Sequence, residues 1–140
     1  FSYKEDADLA FRLRLNGWRA WYLPTAAAYH ERMVKGKADL SDQATKAARQ
    51  DKDRLVKIYS YKNHLLLLIK NEFAVNYLRF FWPLFWYEFK KIVYLLFFEQ
   101  STLRGLGMFF KQLGLALKKR RYIIKNIRKV KAKDLAKWYQ

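Results

Sequence analysis

The sequence predicts an α+β chain that is mostly helical: a helix and two short strands at the start, followed by amphipathic helices. Charge divides unevenly, with seven Lys or Arg against six Asp or Glu up to Thr45 and twenty-two against six afterwards. Two short alternating segments stand before residue 30, separated by a proline turn. Beyond Lys46 the composition favours helix almost without interruption. The boundaries expected are therefore 1–45 for the mixed part and 46–140 for a basic, amphipathic helical part.

Phe1 to Tyr3 resembles the end of a buried strand, so the chain is expected to be a piece of a longer one. Glu5 to Asn16 follows as a helix, because Glu5, Asp6 and Asp8 crowd the first turn, where the positive end of the helix dipole favours them. Asp8 and Arg12 stand four apart in the favourable order for an ion pair. Gly17 supplies a left-handed stop. Arg19 to Leu23 alternates as a strand, Pro24 and Thr25 turn, and Ala26 to His30 is a second strand. Glu31 to Ala44 is polar and aperiodic, hence a loop. Asp51 and Asp53 fall in a Lys-rich stretch and are expected on a solvated face. Leu65 to Ile69 is an apolar run suited to a core.

Phe80 to Phe98 has the length of a membrane span. Its eleven Leu, Ile, Val and Phe residues contribute roughly −3 to −7 kcal/mol on the insertion scale, whereas Glu88, Lys90 and Lys91 cost about +7 to +10 kcal/mol. A helix, or two helices bent at Pro83, lying along the interface satisfies the same residues: Trp82, Phe85, Trp86 and Phe89 enter the headgroup boundary, and Lys90 and Lys91 snorkel outward. Next, Leu103, Leu106, Phe110, Leu113 and Leu117 form one helical stripe, with Arg104, Lys111, Lys118 and Lys125 on another. Ser101 or Thr102 is a candidate cap. Lys118, Lys119, Arg120 and Arg121 open a cationic run, and eleven Lys or Arg lie between Lys111 and Lys137. Such a run fits phospholipid headgroups or nucleic acid. The aromatic concentration between Phe73 and Phe98 favours lipid, and no zinc-finger, RNP or GXXG signature accompanies it. The absence of cysteine excludes disulfides and thiolate metal sites.

The run EDADLAFRLRLNGWRAWYLPTAAAYH resembles a segment of bacterial family 2 glycosyltransferases: Glu5, Asp6, Asp8, Leu9, Arg12, Gly17, Trp18, Pro24, Tyr29 and His30 match its typed positions in order. YKNHLLLLIKN, from Tyr61 to Asn71, is similar to the start of the C-terminal region in rhamnosyltransferase-like members. The resemblance implies that the first part is the end of a GT-A α/β catalytic domain and that the parent enzyme inverts the anomeric carbon of a nucleotide-diphosphate sugar. Asp6 matches the general base, with Glu5 beside it on the acceptor. Asp8, Arg12, Gly17 and Trp18 support the site. His30 stands where some relatives add a ligand to a divalent cation, Mn2+ or Mg2+, which is otherwise held by an Asp-x-Asp motif that this chain lacks ahead of Glu5.

The resemblance further implies a glycan or lipid-linked acceptor, work in cell-envelope polysaccharide synthesis, and a peripheral or monotopic place on the cytoplasmic face of the bacterial inner membrane. The fragment alone is expected to be inactive. Two other readings compete: a basic helical module that binds nucleic acid, and a plain helical bundle whose charge is solvated surface.

Overall fold

A computed structural model describes residues 3–27 and 52–137. The described residues are mostly helical: α1 (Glu5–Leu15), α2 (Arg54–Asn71), α3 (Ala74–Arg79), α4 (Phe81–Phe98), a 3-10 turn (Gln100–Leu103), α5 (Arg104–Asn126) and α6 (Ala132–Ala136). The calls on His30, Tyr29, the loop 31–44, Asp51 and most of the second strand lie outside them.

Helix α1 begins and ends close to expectation. Its stop is a Schellman pair in which Gly17 N–H donates to the Arg14 carbonyl at 3.0 Å and Trp18 N–H to the Leu13 carbonyl at 3.0 Å. Gly17 sits at φ 89, a conformation in which a Cβ would be strained. Among the described residues there is no strand. Arg19 to Leu23 is exposed and carries no ladder, because alternation specifies a strand only where a neighbouring edge accepts its hydrogen bonds. Tyr3, expected in a strand, has φ 68 and is followed by Lys4 at φ 75.

Helix α2 is the axis of the fold. Asp53 caps it, its carboxylate accepting the Leu55 N–H at 2.6 Å, so this residue is a helix start and not simply a solvated face. At the other end the Arg120 guanidinium donates to the carbonyls of Ile69 and Glu72, each at 2.7 Å. Those carbonyls lie where a helix leaves acceptors without intrahelical partners, and a cation there also complements the dipole.

The neighbours of α2 fix the direction of the other helices. Gly105, at the start of α5, lies against Ile58 near the start of α2: a Cβ on Gly105 would stand 2.9 Å from the Ile58 carbonyl oxygen. Arg120, late in α5, reaches the end of α2, so the two helices run parallel. Helix α4 runs back between them in sequence and antiparallel in space, with Glu88 beside His64 at 3.5 Å and Glu99 beside Lys57 at 3.6 Å. The face of α5 that packs carries the buried residues Gly105, Ala116 and Ile123. It is not the predicted leucine stripe, on which Phe110 and Leu117 are exposed. Small side chains allow the backbones to approach, which larger apolar ones at the same positions would prevent.

Helix α4 does not bend at Pro83. The break falls one turn earlier, at Phe80, which caps the helix, and Pro83 occupies the first turn, where its missing N–H forfeits no helical bond. Ser101 and Thr102 do not cap α5; they lie within the 3-10 turn, and Thr102 donates to Glu99 at 3.3 Å. A small apolar core of Leu15, Phe73, Ile123 and Leu135 ties α1 to α5 and α6. Beside it, the Leu15 carbonyl accepts from the N–H groups of Lys129 and Val130 at 2.8 and 3.3 Å. Leu66 and Leu67 of the apolar run are buried against the same framework.

Candidate functional site

The three acids of α1 separate by environment. Asp8, 6% exposed, is fully engaged: its Oδ1 pairs with Lys70 Nζ at 2.8 Å and accepts from Asn71 Nδ2 at 2.7 Å, and its Oδ2 faces Arg12 at 3.4 Å. A buried carboxylate persists only with such company. Glu5 and Asp6 are exposed one turn earlier. The Asp6 carboxylate accepts the Ala7 N–H at 2.7 Å. Asp8 thereby anchors α1 to α2, and Asn63 adds a second tie by donating to the Tyr3 carbonyl at 2.9 Å. The consecutive left-handed residues Tyr3 and Lys4 are held immediately before the acids at a cost of about 1–2 kcal/mol each.

Between α1 and α5 lies a cleft of about 460 Å³ lined by Glu5, Asp8, Arg12, Lys70, Lys119, Tyr122, Ile123 and Ile127. A second cleft, about 440 Å³, opens beside Gly17, Trp18 and Trp21. Trp18 is 65% exposed there rather than set in a core, and its contribution to the α1 terminus is the backbone hydrogen bond to Leu13.

Helix α4 is inverted relative to an ordinary surface helix. The side facing the protein carries Leu84, Glu88, Lys91 and Leu95, and only Leu95 is fully buried. The side facing away carries Phe81, Trp82, Phe85, Trp86 and Phe89, all about half-exposed or more, with Trp82 at 74%. Phe81, Phe85 and Phe89 stack in a row at centroid distances of 5.7 and 6.0 Å, and Trp86 stacks on Phe89 at 5.8 Å.

The inward charges are satisfied. Glu88 meets His64 at 3.5 Å and Lys91 at 3.3 Å, and Lys91 lies over the Tyr61 and Tyr87 rings at 4.8 and 5.3 Å. Burial alone would raise the Glu88 pKa, but the His64 hydrogen bond and the Lys91 charge outweigh it and hold the carboxyl below its ordinary range. Tyr77 is pushed up to about 12 by burial and by Glu72 and Glu88, against the opposing charge of Arg120. Burial lowers the Lys62 pKa, and its ammonium lies 5.1 Å from the Tyr59 ring centre.

Two of the expected membrane cations are therefore reassigned. Lys91 turns inward to Glu88, and Arg120 caps α2; neither is a free headgroup ligand. Lys90, Lys118, Lys119 and Arg121 are exposed as expected. The inward arrangement of Glu88, with His64 from α2, was illegible in sequence, since nothing local marks which face of so aromatic a helix meets the protein. No helix among the described residues is long and apolar enough to cross a membrane.

The resemblance to glycosyltransferases implies a divalent cation. Among the described residues no group of three or more His, Asp or Glu is placed to hold one, and Asp8, the best-fixed carboxylate, already serves two cations. Comparison with family models, curated proteins and solved structures gives no match for the chain.

Proposed function

We propose that the chain is the acceptor-side, C-terminal portion of an inverting glycosyltransferase that works against an anionic membrane surface. The observation that carries the proposal is the division of the α1 acids, with Asp8 locked into α2 and Asp6 exposed on the same short helix. A general base needs an accessible carboxylate on a rigid mount, since a proton acceptor must stand within hydrogen-bond reach of the attacking hydroxyl. In the reaction, the acceptor oxygen bonds to the anomeric carbon as the bond to the leaving diphosphate breaks. The hydroxyl proton passes to Asp6, and Glu5 orients the acceptor. Asp8 and Arg12 position α1 and take no part in proton transfer.

The membrane half of the proposal is supported by the inversion of α4. Its aromatic side faces away from the protein, and the cations Lys90, Lys118, Lys119 and Arg121 are exposed on the same chain. Removing each half-exposed ring from water gains about 1–2 kcal/mol, and each cation near an anionic surface adds about 1 kcal/mol. On this reading the acceptor is lipid-linked and the protein works on the cytoplasmic face of the bacterial inner membrane.

In the intact enzyme, Asp6→Asn is expected to lower transfer from a nucleotide-diphosphate sugar by about 10²–10⁴-fold, and Glu5→Gln to raise the KM for acceptor more than it lowers kcat. An Asp6→Asn enzyme that turns over at the wild-type rate would remove the base assignment.

A further inference from the structure

Residues 18–23 leave their backbone unpaired. The segment lies between the Gly17 stop and the turn at Pro24, carries neither helix nor turn, and has no residue at positive φ. Among the described residues, the N–H groups of Arg19, Ala20, Trp21, Tyr22 and Leu23 make no hydrogen bond within the chain, and of the segment's carbonyls only that of Leu23 is engaged, accepting from Ala26 at 3.1 Å. The side chains are equally uncovered: Trp21 and Tyr22 are 84% and 88% exposed. Aromatic residues and a Leu placed before proline favour extended chain over helix, and the length matches an ordinary strand. The cleft of about 440 Å³ beside Trp18 and Trp21 is also lined by Val130 and Leu135, and its charged lining is Arg14, Arg19, Lys137 and Asp134. Arg14 is already engaged, and the Asp134 carboxylate accepts the Lys131 N–H at 3.0 Å. Arg19 and Lys137 have no acidic partner among the described residues, so three cations against one acid leave the cleft positive.

We infer that residues 18–23 are a docking strip for an extended, acidic strand of another polypeptide. Such a strand adds alongside by backbone hydrogen bonds, seats an apolar side chain in the cleft and offers carboxylates to Arg19 and Lys137. An unpaired run of N–H and C=O groups is a ready template for a strand, and a strand satisfies the backbone, the rings and the cations together. Lipid satisfies the rings alone, because backbone groups without partners are costly at hydrocarbon depth. A second copy is opposed by the net charge of +17 on each chain, which repels like chains. The inference stands without the glycosyltransferase reading.

The test titrates the full chain by calorimetry with a blocked peptide that alternates glutamate and valine. Two companion peptides are compared: one N-methylated at its two central residues, which takes an N–H from each strand edge, and one with lysine in place of glutamate. The first should bind saturably, the N-methylated one about fivefold or more weakly, and the lysine one not at all. Arg19→Glu should weaken the first by about tenfold, the size expected for one charged hydrogen bond. Lys125→Glu, the same charge change on the exposed row of α5, should leave it within about twofold. The Trp18→Ala, Trp21→Ala double variant should lose about tenfold for the peptide and keep its flotation with anionic vesicles. Urea midpoints matching wild type show that the variants fold. Absent binding, or equal affinity for the N-methylated peptide, would overturn the strand. Binding of the lysine peptide, or equal losses from Arg19→Glu and Lys125→Glu, would overturn the acidic partner. A double variant that loses vesicles but keeps the peptide would make the strip a lipid contact. Each outcome is separate from turnover in Asp6→Asn, which tests the base assignment alone.

Discussion

Helices α1 and α4 both carry acidic side chains packed against α2, yet they treat their remaining surface in opposite ways. In α1 the tie to α2 is polar: Asp8 is buried among Lys70, Asn71 and Arg12, Leu15 joins the apolar core at the other end, and the first turn offers exposed acids. In α4 the polar contact of Glu88 with His64 and Lys91 is again on the protein side, but the opposite face is a row of aromatic rings open to the surroundings. Polar groups that bind the helix inward leave the outward face open, with carboxylates exposed in one case and aromatic rings in the other. Large exposed apolar patches of this kind mark interaction surfaces.

The comparison breaks most sharply at Asp8. Asp8→Ala is expected to cost about 3–5 kcal/mol, because it removes the buried carboxylate that Lys70, Asn71 and Arg12 share, whereas Asp6→Ala should stay within about 0.5 kcal/mol; urea unfolding measures both. If the two variants were equally stable, Asp8 would not be the anchor of α1.

Arg120→Ala is next. It removes two charge-assisted hydrogen bonds to the end of α2, a loss of about 2–4 kcal/mol, while lipid affinity should fall by no more than the roughly 1 kcal/mol of one surface cation. Lys118→Ala should show the reverse, unchanged stability with weaker vesicle binding. Gly105→Ala is expected to destabilise by about 1–3 kcal/mol through its collision with the Ile58 carbonyl. Gly107→Ala meets nothing within 4 Å and should gain up to about 1 kcal/mol of helix propensity. A thermal melt separates these two glycines.

The smallest effect concerns pH. Because the folded pKa of Glu88 lies below its unfolded value, its contribution to stability is present above the ordinary glutamate range and is lost as pH falls through the depressed folded value. Glu88→Gln should lose that contribution near neutral pH, converge with wild type in acid and so flatten the acid limb, as followed by urea midpoints across pH.

What was legible in sequence was local. The acidic first turn, the Asp8–Arg12 pair and the Gly17 stop all depend on spacing within a few residues, and all three are found. So is the exposed row Arg104, Lys111, Lys118 and Lys125. The partners of Asp8 were not legible, since Lys70 and Asn71 lie more than sixty residues away and nothing near Asp8 announces them. The packing face of α5 was not legible either: the stripe Leu103, Leu106, Phe110, Leu113 and Leu117 has the helical period, but close helix contact is granted by Gly105 and Ala116. Likewise Arg19 to Leu23 alternates correctly and still forms no ladder, because a strand depends on an edge that alternation does not specify.

The central claim is that the outward face of α4 is covered by lipid and not by protein. Flotation of the chain with anionic vesicles, comparing wild type with the Trp82→Ala, Trp86→Ala double variant, tests it most directly. The account predicts a partition coefficient lowered by about tenfold or more with an unchanged urea midpoint. Undiminished partitioning, or a midpoint that drops because the rings were packing on the protein, would contradict it.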